Sequence, residues 1–198
     1  MYIIGLTGGI SSGKSSVAGT LMRYCNAMIL DIDKVTGWLL EPGGELFEIY
    51  VRHFGRRVVT EEGLLNRRLI GEIIFNDLAE REWINSVAHP ILLNQARNFL
   101  VECSQIGARL VVLEVPLLFE AGWEHLFDEI WAVYTKRQIQ IKRLMSRDNL
   151  TRQQAKKRID AQMPKEEICK RADVVIRNVG RSSEVRQQIL AALRGRKF

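Results

Sequence analysis

The sequence predicts an α/β fold around a five-stranded parallel sheet, on three observations. Short, almost continuous apolar runs alternate with stretches of helical periodicity, the order that builds a parallel sheet buried on both faces. A loop rich in glycine and serine joins the first apolar run to the first helix. One helical stretch, from about residue 34 to 107, interrupts the alternation and is longer than a plain crossover.

Tyr2-Ile3-Ile4-Gly5-Leu6 reads as the first strand. It runs into GLTGGISSGKSS, residues 5–16, which holds four glycines, five hydroxyl residues and one lysine. Val17, Ala18, Leu21 and Met22 then fall on one face of a helix. A strand before and a helix after is the context that a phosphate-binding loop requires. The spacing fits in full: Gly8, four residues, Gly13, Lys14, Ser15. Glycines let the backbone approach a ligand closely, and successive N–H groups form an anion nest at the helix N-terminus. Gly9, Ile10, Ser11, Ser12, Gly13, Lys14, Ser15 and Ser16 are therefore candidate nucleotide-binding residues. Lys14 reaches the outer phosphates, and the Ser15 hydroxyl is a candidate ligand for Mg²⁺. The expectation is a three-layer P-loop NTPase fold that binds a nucleoside triphosphate.

Ala27–Leu30 reads as the second strand, followed by Asp31-Ile32-Asp33. In the helical stretch after it, Leu46, Phe47, Tyr50, Val51 and Phe54 share a face. Asp77-Leu78-Ala79-Glu80 reads as a capping box, with Trp83, Ile84 and Val87 on the face beyond it. Pro90 is suited to open a further helix, to about Gln105. The whole stretch is expected to be an inserted subdomain that holds a second substrate. Leu110–Val115 and Ile130–Tyr134 read as the third and fourth strands, and Val174–Ile176 as the fifth. Lys136–Asp148 is a basic amphipathic helix, and Thr151-Arg152-Gln153-Gln154 caps another, to about Ala161. Two arginine-bearing helices joined by a short turn suit a lid over phosphates, since Arg binds phosphate bidentately and keeps its charge. The last helix, about Ser183–Arg194, is expected to bury Val185, Ile189, Leu190 and Leu193. The resulting division is a core of 1–33, 108–136 and 163–198, an insertion of 34–107 and a lid of 137–162.

The 198 residues, 46% hydrophobic, suffice for one domain with a core. The net charge is +6, spread along the chain without a lysine run or an aromatic RNA-binding signature. A polyphosphate substrate accounts for it better than nucleic acid does. Cys25, Cys103 and Cys169 form no CxxC pair and suit a reducing compartment. The N-terminal stretch has no charged region before it, so no signal peptide is read, and no apolar run approaches the ~20 residues that span a bilayer. A soluble, cytoplasmic protein is expected.

Several classes share the phosphate loop. The Asn-Lys-x-Asp and Asp-x-x-Gly elements of GTPase switches do not occur, nor does a transport-ATPase signature. Small kinases remain, with phosphoryl transfer governed by positioning and electrostatics. Asp31 and Asp33, two apart on a segment read as extended, point the same way, and either carboxylate is placed to take a proton from an acceptor hydroxyl. Another small-molecule or nucleoside monophosphate kinase is an alternative. A nucleic-acid-binding ATPase, suggested only by the basic charge, is a more distant one.

The chain resembles the dephospho-coenzyme A kinases over nearly its whole length. The resemblance rests on Gly5–Ile10 with Ser12–Ser15, on Asp31-Ile32-Asp33, on Glu41-Pro42-Gly43 and on Leu65-Asn66-Arg67 before Leu69 and Ile74-Phe75. It continues in His89-Pro90, Val115–Glu120, Gln140 through Arg143–Met145 to Arg147-Asp148, Ala161–Pro164, and Ala172–Ile176 with Asn178. It implies phosphorylation of the ribose 3′-hydroxyl of dephospho-coenzyme A by ATP with Mg²⁺, the last step of coenzyme A biosynthesis. By position it implies Asp33 as base, with Lys14 and Arg143 stabilising charge on the transferred group. It implies Arg147 and Asn178 on the nucleotide, and Thr7, Arg67, His89, Leu118 and Phe119 on the acceptor. Three positions depart from the family pattern: Ser11 replaces the usual Gly, while Asn66 and Glu114 each stand where Asp is common.

Overall fold

The strands form where the chain offers apolar runs short enough to end at a loop. In the computed structural model, which describes residues 1–196, they are β1 (Tyr2–Thr7), β2 (Met28–Asp31), β3 (Leu110–Glu114), β4 (Glu129–Tyr134) and β5 (Val174–Arg177). The helices are α1 (Lys14–Cys25), α2 (Ile32–Leu39), α3 (Glu45–Phe54), α4 (Arg67–Asn76), α5 (Leu78–Gln105), α6 (Arg137–Asp148), α7 (Arg152–Asp160), α8 (Lys165–Arg171) and α9 (Ser182–Leu193). Short 3₁₀ turns cover Arg56–Val58 and Glu124–Leu126. The strands make one parallel sheet in the order β2-β3-β1-β4-β5.

The molecule comprises two compact units. The first comprises Met1–Asp31 and the chain from Leu100 onward, and it holds the sheet. Its β1 is hydrogen-bonded on both sides, to β3 and to β4. Alternate residues of four strands (Ile4 and Leu6, Leu110 and Val112, Trp131 and Val133, Ile176) pack with Val17, Ala18 and Leu21 of α1 and Val185, Ile189 and Leu193 of α9. That is the period-two face of the sheet meeting two helical stripes. Met22 and Leu190, expected on those stripes, are exposed instead. Each lies one residue past the buried position of its turn, about 100° round the helix.

The second unit is Ile32–Phe99. Leu46, Tyr50 and Phe54 are its buried stripe on α3. Burial pushes the Tyr50 phenol up to about 12. The His53 ring stacks on Trp83 with centroids 3.5 Å apart, and its Nε2 sits 2.7 Å from Glu80 Oε2. Asp77 Oδ1 caps α5 by accepting from the N–H groups of Ala79 and Glu80, but the Glu80 carboxylate meets His53 and the Asp77 N–H donates to the Ile73 carbonyl, so the cap is one-sided and not the expected box. Asn66 caps α4 by accepting from the Leu69 N–H at 3.0 Å, so amide in place of carboxylate preserves the cap.

Two further expectations are corrected. Pro90 opens no helix; it lies inside the continuous α5. A proline there removes one i→i−4 bond, and the turns on either side continue the helix. Asp31 and Asp33 are not two apart on one extended segment: Asp31 ends β2 and Asp33 lies in the first turn of α2, which follows without a loop.

Candidate active site

The glycine loop leaves β1 at Thr7 and enters α1 at Lys14. Gly8 has φ 142°, and a Cβ on it would sit 2.6 Å from the Val133 carbonyl oxygen. Gly13 has φ 97°, and a Cβ there would lie 2.1 Å from Asn178 Nδ2. Between them Ser11 takes the left-handed conformation at φ 56°. This is the position where the resemblance has Gly; for a serine the left-handed backbone costs about 1–2 kcal/mol.

Side chains hold the loop carbonyls. Lys14 Nζ donates to the Gly8 carbonyl at 2.9 Å, and Gln140 Nε2 to that of Ile10 at 3.0 Å. Arg143 Nη1 and Asn178 Nδ2 donate to that of Ser12 at 3.1 and 2.9 Å. A trans peptide carries its N–H opposite its C=O. The N–H groups of Ser11 and Gly13 therefore face away from these partners. The first turn of α1 contains no acidic residue, so its positive end is not neutralised from within that turn. Carbonyls held on one side and amides turned to the other make an anion cradle. The Ser12 hydroxyl is buried with no protein partner, which leaves a polar atom for a ligand to satisfy.

At the carboxyl end of the sheet, Leu6, Glu114 and Asp31 stand in register on three neighbouring strands. Ser15 Oγ donates to Glu114 Oε2 at 3.1 Å, and Glu114 is 5% exposed. A hydroxyl and a buried carboxylate side by side are hard oxygen donors of the kind Mg²⁺ takes, with phosphate and water completing its shell. Among the described residues no group of three or more His, Cys, Asp or Glu forms a protein-only metal site. Thr7, buried, donates to the Pro116 carbonyl at 3.3 Å. Leu118 and Phe119 are buried in the first unit, and the Arg171 guanidinium lies 4.2 Å from the Phe119 ring centroid.

The α6–α7 hairpin carries Arg143 to the loop. Ile141, Leu144 and Ala155 form its small core, with Ile10 of the loop packed against them. Thr151 and Gln154 close a reciprocal capping box at the start of α7. Arg147 donates to Asp148, which also receives Arg158. The Arg147 hydrogen bond, the largest cause, holds the Asp148 carboxyl below its ordinary value.

Two expected acceptor residues belong to the second unit. Arg67, the first residue of α4, reaches the Gly37 carbonyl and Glu41 at 3.4 Å each. His89 is half-buried in α5, and burial pushes its imidazole below the usual histidine value. The fold thus favours neutral His89. Below about pH 6.5 the unfolded chain binds more protons, so this contribution to stability is complete above that pH and is lost as pH falls. His89→Gln should flatten the acid-side decline of the melting temperature between about pH 7.5 and 5. An unchanged slope would remove the burial argument.

Gln140 and Gln162 were not among the expected site residues. Gln140 stands one helical turn before Arg143 and is 3% exposed, a buried polar position on a helix whose sequence is basic and amphipathic. Gln162 Oε1 accepts from the Ile10 N–H at 2.7 Å.

Comparison with known proteins agrees in kind. A family model described as dephospho-CoA kinase matches residues 2–184. A dephospho-CoA kinase of Carboxydothermus hydrogenoformans is 42% identical over 196 residues, covering 99% of this chain and 95% of that protein. The crystal structure of TT1252 from Thermus thermophilus is similar at TM-score 0.81 and 35% identity, covering 97% of this chain and 95% of that one. Dephospho-CoA kinase from Campylobacter jejuni is similar at TM-score 0.67 and 26% identity, covering 96% of this chain and 94% of that one.

Proposed function

The chain belongs to the dephospho-CoA kinase family, and from that premise we propose how its own residues divide the work. The reaction is ATP-dependent phosphorylation of dephospho-coenzyme A, in coenzyme A biosynthesis. The observation that carries the reading is the loop whose carbonyls are held by Lys14, Gln140, Arg143 and Asn178.

The triphosphate of ATP lies on the loop amides from Gly9 to Ser16, and Lys14 turns from the Gly8 carbonyl to the outer phosphates. Ser15 and Glu114 are the residues that would hold Mg²⁺, which when bound neutralises phosphate charge and orients the terminal group. Arg143 stabilises the phosphoryl group in flight. A guanidinium carries five N–H donors, more than the loop carbonyls take up. Asn178 stands on the adenine side and Arg147 supports the phosphates.

Asp33 accepts the proton of the ribose 3′-hydroxyl. As that proton leaves, the 3′-oxygen bonds to the γ-phosphorus, the bond to the β–γ bridging oxygen breaks, and ADP departs with the electron pair. Thr7, Arg67, His89, Leu118 and Phe119 serve the acceptor, within a helical insertion of 34–107 and the core strand ends. Residues 137–162 serve as the lid. Neutral His89 can donate one hydrogen bond and accept another, which suits a hydroxyl or amide more than a phosphate.

Three free thiols, and the fact that among the described residues no helix is long and apolar enough to cross a membrane, support a place in the cytoplasm. We assign the net charge of +6 to polyphosphate substrates and not to nucleic acid.

The test is ADP release from ATP and Mg²⁺ with dephospho-coenzyme A, set against nucleosides, nucleotides and pantothenate derivatives. Fast release with dephospho-coenzyme A alone, and a product carrying a new 3′-phosphate, is expected. An inert dephospho-coenzyme A with another acceptor phosphorylated would overturn the acceptor assignment and leave the ATP cradle standing.

A further inference from the structure

The two glutamines meet the same residue of the loop from opposite chemical sides. Gln140 donates to the Ile10 carbonyl at 3.0 Å, and Gln162 accepts from the Ile10 N–H at 2.7 Å. These groups belong to successive peptides, so neither can rotate without breaking a bond. The Ile10 side chain is meanwhile packed against Ile141, Leu144 and Ala155 of the α6–α7 hairpin. The approach is close: a Cβ on Gly9 would lie 2.7 Å from Gln140 Nε2 and 3.7 Å from Gln162 Oε1. Gly9 is therefore a clearance for the clamp. Gln140 precedes Arg143 by one turn, so the two side chains leave the same face of α6.

We propose that Gln140 and Gln162 are positioning residues that clamp Ile10 and register the hairpin on the phosphate loop, fixing both the Ser11 amide and Arg143 for ATP. The proposal rests on the ATP-binding part of the function assigned above. The clamp does its work through two peptides. With the Ile10 carbonyl held by Gln140, the Ser11 N–H keeps its direction into the cradle. With Ile10 bound at its N–H, its C=O and its side chain, the hairpin cannot slide along the loop, and Arg143 keeps its reach to the Ser12 carbonyl. A loop organised in advance binds its ligand more tightly than one that must be ordered by it.

The polarity of the two bonds supplies the test. A glutamate in place of Gln140 loses the donor when ionised and regains one when protonated. A glutamate in place of Gln162 keeps the acceptor in both states. Both changes add the same charge beside the same residue, so their difference isolates the donor. The charged groups facing this pair are Lys14, Arg137, Arg143, Asp160, Lys165 and Glu166. They are present in both variants.

ATP affinity is measured by calorimetry without acceptor, as a ratio to wild type at each pH. Q140E should bind ATP about tenfold more weakly near pH 8, with the deficit shrinking below about pH 6. Q162E should lose less and show no recovery at low pH. Equal deficits at every pH, or a Q140E deficit that ignores pH, would overturn the proposal. Should Q140E fail to fold, Q140M keeps the shape without the donor; it should be weaker at all pH values, and wild-type affinity would overturn the clamp. Because no acceptor is present, an error in the acceptor assignment leaves this comparison intact.

Discussion

Asp33→Asn should lower kcat by about 10²–10³ while ATP affinity stays within about threefold. The asparagine keeps the shape of the side chain and loses its charge. It cannot take a proton. A carboxylate in the first turn of α2 has a competing purpose, to complement the positive end of that helix. The two purposes separate in measurement. A helix-start role predicts a loss of about 0.3–1 kcal/mol in stability with kcat nearly intact. A base predicts the reverse. Steady-state kinetics beside a thermal melt decide between them, and a kcat within threefold of wild type would end the assignment of Asp33 as base.

Gly13→Ala should weaken ATP binding by more than about tenfold and destabilise the first unit by about 2 kcal/mol or more. Two costs combine here. The backbone at φ 97° disfavours any side chain, and the added carbon would stand 2.1 Å from Asn178 Nδ2 and 3.3 Å from Arg143 Nη1. Asn178 cannot retreat without releasing the Ser12 carbonyl that it holds at 2.9 Å. Gly107 provides the control. It has φ 71° with nothing within 4 Å of a built Cβ, so Gly107→Ala incurs only the backbone cost, about 1–2 kcal/mol, with ATP affinity unchanged. Calorimetry with ATP and a melt of both variants give the comparison. Equal ATP affinity in the two would show that the contact with Asn178 is immaterial. In a double-mutant cycle, Asn178→Ala should remove part of the penalty of Gly13→Ala, since the two share one contact.

Much of the first unit was legible because its signals are local. Leu110–Glu114 is buried at every position, and an unbroken apolar run is how such a strand must read. The Thr151–Gln154 box was legible because both partners lie within four residues of one another. The loop could be read through its spacing and flanks. Other features depend on what the chain meets far away. Gln140 is a polar residue on a basic helix, and its partner is a carbonyl 130 residues earlier, so no local pattern marks it as buried. Gln162 is 152 residues from the Ile10 N–H. Asp33 reads as extended because nothing separates β2 from α2; without a turn residue between them, the change of period is hidden. Pro90 misled for the opposite reason. Its local rule is strong, and the rest of α5 overrides it. The short α8 carries Glu166 and Glu167 in its first turn and Lys170 and Arg171 in its last, a charge order that could have revealed it.

The place of β1 in the sheet has a thermodynamic consequence. With β3 on one side and β4 on the other, this strand has no edge from which to fray. The phosphate loop hangs from its end, so opening of the sheet takes the cradle with it. Bound nucleotide is therefore linked to the cooperative unfolding of the whole first unit. Its binding free energy adds to the stability of the sheet, and enzyme saturated with ATP is slower to enter the open states that proteases attack.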